Sequence, residues 1–260
     1  MADWFEMSDM TSREFAKASS SIRLALVPIG ATEQHGPNLG LGTDYVIAHR
    51  FCQRIAQAIH PKAVVLPPVP LGLSYHHMGF PGTLSFSPET LTAVCMDIAR
   101  SLKKQGISHV LFVNGHNGNT AILNVVVTKI RYDLDIYAAV AFWFQQSGDV
   151  VKKHARTERY GHACEIETSV LMALAPELVR QDALEAGDML PVTLAHAFNN
   201  QPFFHTVPVP FHEQTRNGVF GDATLATPAA GEEIVAAAVA RTVAFVETFL
   251  AGTEASGPSS

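Results

Sequence analysis

Short apolar runs alternate along the chain with segments whose apolar residues recur every three or four positions. Ile22–Gly30 reads as a buried strand, and Val46, Ile47, Phe51, Ile55 and Ile59 then form one stripe of a helix from Tyr45 to Ile59 with Asp44 at its N-cap position. Ala63–Pro67 is a second strand. Ser87 and Pro88 open a helix by cap and first-turn proline, and it runs to Lys104 before Gly106 stops it. His109–Asn114 is the third strand, and the turn Gly115–Asn119 leads into a helix from Thr120 to Arg131. Ile136–Phe142 gives a fourth strand, a helix beginning near Gly161 carries Glu165 to Ala175, and a last helix spans Gly231–Leu250. Between Asp182 and Pro228 the periodicity is weak, which predicts irregular structure over one side of the sheet.

Strands that alternate with helices pair in parallel through crossover connections, so the expected fold is α/β, a layered αβα sandwich with a mostly parallel sheet. In such a sheet the ligand site lies beyond the carboxyl ends of the strands. Residues 1–252 are expected to form a single domain, and the small, polar residues 253–260 a disordered tail.

Composition narrows the partners. The chain has 260 residues, 47% hydrophobic, and 18 Lys+Arg against 24 Asp+Glu give a formal net charge of −6. That balance lacks the clustered cations that neutralise phosphates, so no nucleic-acid partner is expected. Cys52, Cys95 and Cys164 lie far apart with no CxxC spacing, which predicts reduced, buried thiols. Acids stand where a signal peptide has its basic region, and the longest apolar stretches read as strand-sized, short of the roughly 20 residues that span a bilayer. A cytoplasmic protein without a membrane partner is the expectation. The 12 histidines are the anomaly, because histidine both ligates metals and moves protons near neutral pH.

The histidines gather where strands end. After the first strand come Glu33 and His35, two apart in a segment that Pro37 and neighbouring glycines keep extended, so their side chains converge. Asp44 closes the glycine-rich loop that follows, His116 sits in the turn after the third strand, and the segment Gly161–Ser169 adds His162, Glu165 and Glu167. Singly, Asp44 is a helix cap and His116 a turn residue. Together, Glu33, His35, Asp44, His116 and Glu165 offer the oxygen and nitrogen donors that zinc and manganese accept. Asp44 can bridge two ions about 3.5–4 Å apart, with open positions left for water and substrate.

Glu33-Gln34-His35-Gly36-Pro37 with Asp44, Phe80-Pro81-Gly82-Thr83, Asn114-Gly115-His116-Asn117-Gly118-Asn119 and Gly161–Ser169 together resemble the creatininase (creatinine amidohydrolase) family over about Leu24–Leu178. The resemblance implies a creatininase-like fold, two divalent ions per subunit (zinc or manganese, with iron(II) sharing the same ligands), and a homohexamer built as a trimer of dimers. It implies hydrolysis of a non-peptide C–N bond, a cyclic amide or formamide, by metal-activated water. On that pattern Glu33 and His116 hold one ion, His35 the other, and Asp44 bridges them. Creatinine-hydrolysing members take a further ligand from a Glu two residues after the motif His; here Gly118 stands there, and Glu165 is expected to supply it instead. Relatives with this Asn-Gly pattern include formamide hydrolases of flavin and deazaflavin precursor synthesis and the peptidase that matures the mycofactocin peptide.

His162 matches the family's proton-transfer histidine and, three residues before Glu165, can face the ions from the same helical turn. Glu167 lies about 200° around that helix from Glu165, a position from which it would orient His162 or a ligating histidine. His77 is a candidate substrate contact, since the adjacent His76 and His77 cannot both face one pocket in an extended segment. Trp143 is a candidate wall for a planar ligand or a core residue. His154, Arg156, Arg159 and Tyr160 are expected near the entrance. The leading reading is a metal-dependent amidohydrolase of a small-molecule amide, with a mycofactocin-maturation type of peptidase or creatinine amidohydrolase proper as alternatives. A metal-binding protein without turnover and a two-metal phosphoesterase rank below these, because the first needs no His162 and the second gathers cations around its phosphate.

Overall fold

The computed structural model describes residues 5–191 and 208–254. Its centre is a five-stranded sheet of β1 (Phe5–Glu6), β2 (Leu24–Ile29), β3 (Ala63–Val65), β4 (His109–Asn114) and β5 (Tyr137–Phe142), in the order β1-β3-β2-β4-β5 and parallel throughout. Strands buried on both faces read as continuous apolar runs, which is why β2 and β4 stand out in the sequence. The two-residue edge strand β1 carries no such run and was not foreseen, nor was α1 (Ser12–Ala18), opened by a capping box between Thr11 and Glu14.

Alternate residues of each strand feed two cores. Leu24, Leu26, Leu111 and Val113 pack with α2 (Thr43–Ala58), α7 (Glu165–Leu174) and α8 (Pro228–Glu254), through residues such as Phe51, Val170 and Ile234. Ala25, Val27, Ile29 and Phe112 pack on the other face against Leu91 and Cys95 of α3 (Pro88–Lys104) and Leu123, Val126 and Ile130 of α4 (Thr120–Leu134). Two short helices, α5 (Trp143–Gln146) and α6 (Gly148–His154), follow β5. The result is the layered αβα sandwich expected from the alternation.

Three local expectations change. The helix of α2 begins two residues earlier, with Gly42 at its cap, so Asp44 lies inside the first turn and is buried rather than capping. The final helix α8 is longer than its stripe suggested, and Pro228–Gly252 is apolar and long enough to cross a membrane by length and composition. One face of it, including Ile234, Val235, Ala238, Val246 and Leu250, is buried in the core, while Arg241 pairs with Asp149 and Glu233 with Lys153 and His154 of α6. Of the predicted tail, Thr253 and Glu254 belong to α8 and residues 255–260 lie outside the described residues. The described parts of Asp182–Pro228 are 3-10 turns and isolated bridges, as expected; residues 192–207 lie outside the description.

Register sets the site. Ile29 of β2 pairs with Asn114 of β4, and Asn114 with Phe142 of β5, so the three strands end level. The first turn of α2 lies directly across two of these ends. A Cβ on Gly30 would stand 2.3 Å from the Tyr45 backbone nitrogen, and one on Gly115 would stand 2.1 Å from the Asp44 carbonyl oxygen. Glycine at both strand ends is therefore what lets Asp44 reach the sheet edge.

Candidate functional site

Seven side chains from four chain segments meet above the level ends of β2 and β4: Glu33, His35, Asp44, His77, His116, His162 and Glu167, all at least nine-tenths buried. Asp44 lies between two histidines, with Oδ1 3.1 Å from His35 Nε2 and Oδ2 3.2 Å from His116 Nδ1. Glu33 Oε1 is 3.3 Å from both His116 Nδ1 and His77 Nε2, and 3.8 Å from His162 Nδ1. Glu167 Oε2 stands 3.7 Å from His35 Nε2 and 4.0 Å from His162 Nδ1.

The histidines are oriented from behind. His35 Nδ1 is 3.1 Å from the Glu33 carbonyl oxygen, His116 Nε2 is 3.0 Å from that of Leu73, and His162 Nε2 is 2.7 Å from that of Gln34. A carbonyl only accepts, so each of these ring nitrogens donates, which aims the opposite nitrogen of each ring into the cluster. Donation of the rear N–H to a carbonyl is the usual support of a metal-ligating histidine.

Burial strips water from every charge here. It is the largest influence on Glu33 and pushes its carboxyl up, against the lowering effect of His116. Burial also works against the charged forms of His35 and His116, but the carboxylates beside them win: Asp44 and Glu167 raise His35 well above its ordinary value, and Glu33 and Asp44 do the same for His116. Those histidines in turn overcome the burial of Asp44 and hold its carboxyl below the usual range. His162 and His77, buried among other imidazoles, are pushed down, and His76 falls to about 4.

Both oxygens of Glu33 and Oδ2 of Asp44 are buried without a hydrogen-bond donor. Orphaned carboxylate oxygens facing imidazole nitrogens are the donor set of a divalent cation. Donor atoms lie mutually within 4.8 Å in the groups Glu33–His35–Asp44, Glu33–His76–His116, His35–His162–Glu167 and Glu33–His77–His162.

Glu165 is the principal correction. Its carboxylate points away from the cluster: Oε1 accepts from the backbone N–H of Arg156 and Thr157, both at 3.0 Å, and from the Thr157 hydroxyl at 2.7 Å, while Oε2 accepts from the Asp222 N–H at 3.0 Å. Although burial works the other way, these donors hold its carboxyl below the ordinary value. Glu165 ties two loops to the start of α7. Glu167 turns back instead, accepting the Ala163 N–H at 2.6 Å and reaching His35.

The expected helical turn linking His162 to Glu165 does not exist, because Ala163 adopts a left-handed φ of 50° and the helix starts only at Glu165. His162 sits upstream of it, with its carbonyl accepting the Phe220 N–H at 2.8 Å. Contrary to expectation, His76 and His77 share one pocket, since Tyr75–His77 is a 3-10 turn rather than an extended segment. His77 faces Glu33, and His76 stacks on His116 with ring centroids 5.4 Å apart.

A cavity of about 560 Å³ opens onto the cluster, with Asp44, His116, His162 and Glu167 on its floor and Trp143, Phe142, Phe144 and Phe211 among its walls. Trp143 is thus both cavity wall and core residue, lying parallel to Phe51 at 6.3 Å. Among the described lining residues His154, Arg156, Arg159 and Tyr160 are absent, although Gly161 is present. At Gly118 a Cβ would stand 2.3 Å from His116 Nε2 and 2.4 Å from the Leu73 carbonyl oxygen, so this backbone has no room for a carboxylate ligand there.

Fold and site define a layered α/β protein with a buried carboxylate–histidine centre at the carboxyl edge of a parallel sheet. The family described as Creatinine amidohydrolase matches residues 8–246, and the chain belongs to this creatininase family of hydrolases. It is 36% identical over 230 residues to a protein of Mycolicibacterium smegmatis named mycofactocin precursor peptide peptidase, covering 87% of this chain and 84% of that one. Creatinine amidohydrolase of Pseudomonas putida is 27% identical over 195 residues, covering 68% of this chain and 74% of the relative. The structure of a putative creatinine amidohydrolase from Bacteroides fragilis superposes with a TM-score of 0.85 at 26% identity, over 96% of this chain and 98% of that one. A manganese creatininase structure superposes at 0.78 with 26% identity, over 95% of this chain and 99% of the other.

Proposed function

We propose that the protein is a divalent-metal-dependent amidohydrolase that cleaves an amide C–N bond in a short peptide. The observation that carries metal dependence is the set of buried, donor-free oxygens on Glu33 and Asp44 facing ring nitrogens already oriented by backbone carbonyls. Glu33, Asp44 and His116 would hold one ion, and His35, Asp44 and Glu167 a second; related structures in manganese and zinc forms support the choice of metal. A bound divalent ion supplies Lewis acidity, polarising the scissile carbonyl and acidifying water.

His162 presents Nδ1 to the site at the edge of the cavity floor, where it takes a proton from the attacking water and returns it to the departing nitrogen. Trp143, Phe142, Phe144 and Phe211 exclude water and offer apolar walls to the groups flanking the bond. A peptide is favoured over a single small ring by the breadth of the cavity and by the relatives named as peptide peptidases. The family description favours the second reading, a non-peptide cyclic amide. Assembly as a cytoplasmic homohexamer belongs to the same proposal.

Incubating the zinc- or manganese-loaded protein with a panel of short synthetic peptides, creatinine and N-formyl amines, with products read by mass spectrometry, separates the readings. Peptide cleavage that disappears in His162→Ala supports the proposal. Turnover of creatinine or formamides alone overturns its peptide half, and turnover that survives exhaustive chelation overturns the metal.

A further inference from the structure

Gln34 stands between two cluster carriers, Glu33 and His35, and every polar group on it is engaged. Its backbone N–H donates to Thr83 Oγ1 at 3.1 Å. Its carbonyl oxygen lies 2.7 Å from His162 Nε2. Its side-chain Oε1 accepts the Gly36 N–H at 3.0 Å, which fixes the amide's orientation, because a flipped amide would set NH2 against N–H. The amide nitrogen Nε2 then lies 2.9 Å from His77 Nδ1, 3.0 Å from His162 Nε2 and 3.2 Å from the Gly218 carbonyl oxygen.

Three neighbours compete for two hydrogens, and the chemistry of each settles the sharing. His162 Nε2 must donate, since the Gln34 carbonyl beside it can only accept, so that nitrogen cannot also accept from the amide. Gly218 offers only a carbonyl. The two amide hydrogens therefore go to Gly218 and to His77 Nδ1. With Nδ1 accepting, the proton of neutral His77 sits on Nε2, which lies 3.3 Å from Glu33 Oε1. With Nε2 donating, the bare nitrogen of neutral His162 is Nδ1, the one turned toward Glu33 and Glu167.

We infer that Gln34 is a positioning residue that sets the tautomers of two histidines at once, His162 through its main-chain carbonyl and His77 through its side-chain amide. One residue thereby leaves His162 Nδ1 free to accept a proton and places the proton of His77 on Nε2, 3.3 Å from Glu33 Oε1. Gly218 completes the arrangement: it has φ +81°, and a Cβ there would fall 1.8 Å from Gln34 Oε1. The late segment Asn217–Asp222 thus supplies the backbone against which the amide is held. Its use in turnover rests on the amidohydrolase reading above, whereas the proton positions do not.

Long-range 15N–1H correlation spectra of 15N-histidine-labelled, zinc-loaded protein show which ring nitrogen carries the proton, with peaks assigned from His77→Asn and His162→Asn. The expected wild-type pattern is a proton on Nε2 of both residues. In Gln34→Glu, whose carboxylate can only accept, and in Gln34→Met, which cannot donate, His77 should move its proton to Nδ1 or populate both tautomers while His162 keeps Nε2–H. A wild-type proton on Nδ1 of either ring overturns the inference, as does an unchanged His77 in both folded variants. Should neither variant fold, the wild-type spectrum alone decides. No substrate enters this measurement, so an inactive enzyme with the expected spectrum contradicts the functional proposal and leaves the tautomers standing.

Discussion

Glu33 concentrates the chemistry of the molecule: a carboxylate with no exposure, no donor on either oxygen, and imidazole nitrogens on several sides. Without an ion, its neighbours His35 and His116 are held above the ordinary histidine value by Asp44, Glu167 and Glu33 itself, so near neutral pH these rings keep protons. Metal must displace those protons, and its apparent affinity therefore rises with pH. Zinc titrations at pH 6 and pH 8 are expected to show tighter binding at the higher pH and proton release on loading; an affinity independent of pH would contradict the assignment. The thiols make a second test at this scale. Burial pushes Cys95 and Cys164 up to about 12 and raises Cys52 as well. Because thiolate is the reactive form, a disulfide reagent at pH 8 should find no rapidly reacting thiol in the native protein and all three after denaturation. A fast native thiol would show that one of these sites is open.

At the scale of elements, the helix α2 and its crossing of the strand ends matter most. Gly115→Ala would force a Cβ to 2.1 Å from the Asp44 carbonyl oxygen, and a backbone atom cannot swing aside. A loss of about 2 kcal/mol or more is expected, together with reduced metal content. Ser87→Ala is the comparison: it removes a cap that accepts the Thr90 N–H at 3.2 Å, far along the chain, and should cost about 1 kcal/mol with metal content unchanged. Urea unfolding and elemental analysis of the pair check both; equal metal loss in the two variants would mean that instability alone empties the site.

Most elements were legible because of how they are buried. The strands β2 and β4 are covered on both faces and so write themselves as unbroken apolar runs, and α3 announces itself through Ser87-Pro88. What stayed illegible depended on single backbone angles or on pairing across distance. The left-handed Ala163 delays α7 by a few residues, and that delay exchanges the roles of Glu165 and Glu167. The 3-10 turn at Tyr75–His77 brings both histidines to the site, where an extended chain would have parted them. Gln34 gave no signal, since alternation places it opposite Glu33 and His35; its partners His77, His162 and Gly218 come from three distant segments.

For the molecule as a whole, the carboxylate–histidine cluster lies at the carboxyl edge of the sheet, where the sequence placed it, because parallel α/β sheets leave helix N-termini and loops there whatever their chemistry. The family it resembles is the family it belongs to. The carboxylate completing the cluster is where structure departs from that reading: Glu167 faces His35, and Glu165 braces the loops around Thr157 and Asp222. Elemental analysis of protein purified without chelator, alongside Glu167→Gln and Glu165→Gln, tests this most directly. Near two equivalents of divalent metal are expected in the parent and in Glu165→Gln, the latter with lowered thermal stability, and a fall toward one equivalent in Glu167→Gln. One equivalent or less in the parent, or metal lost from Glu165→Gln and retained in Glu167→Gln, would contradict the centre described here.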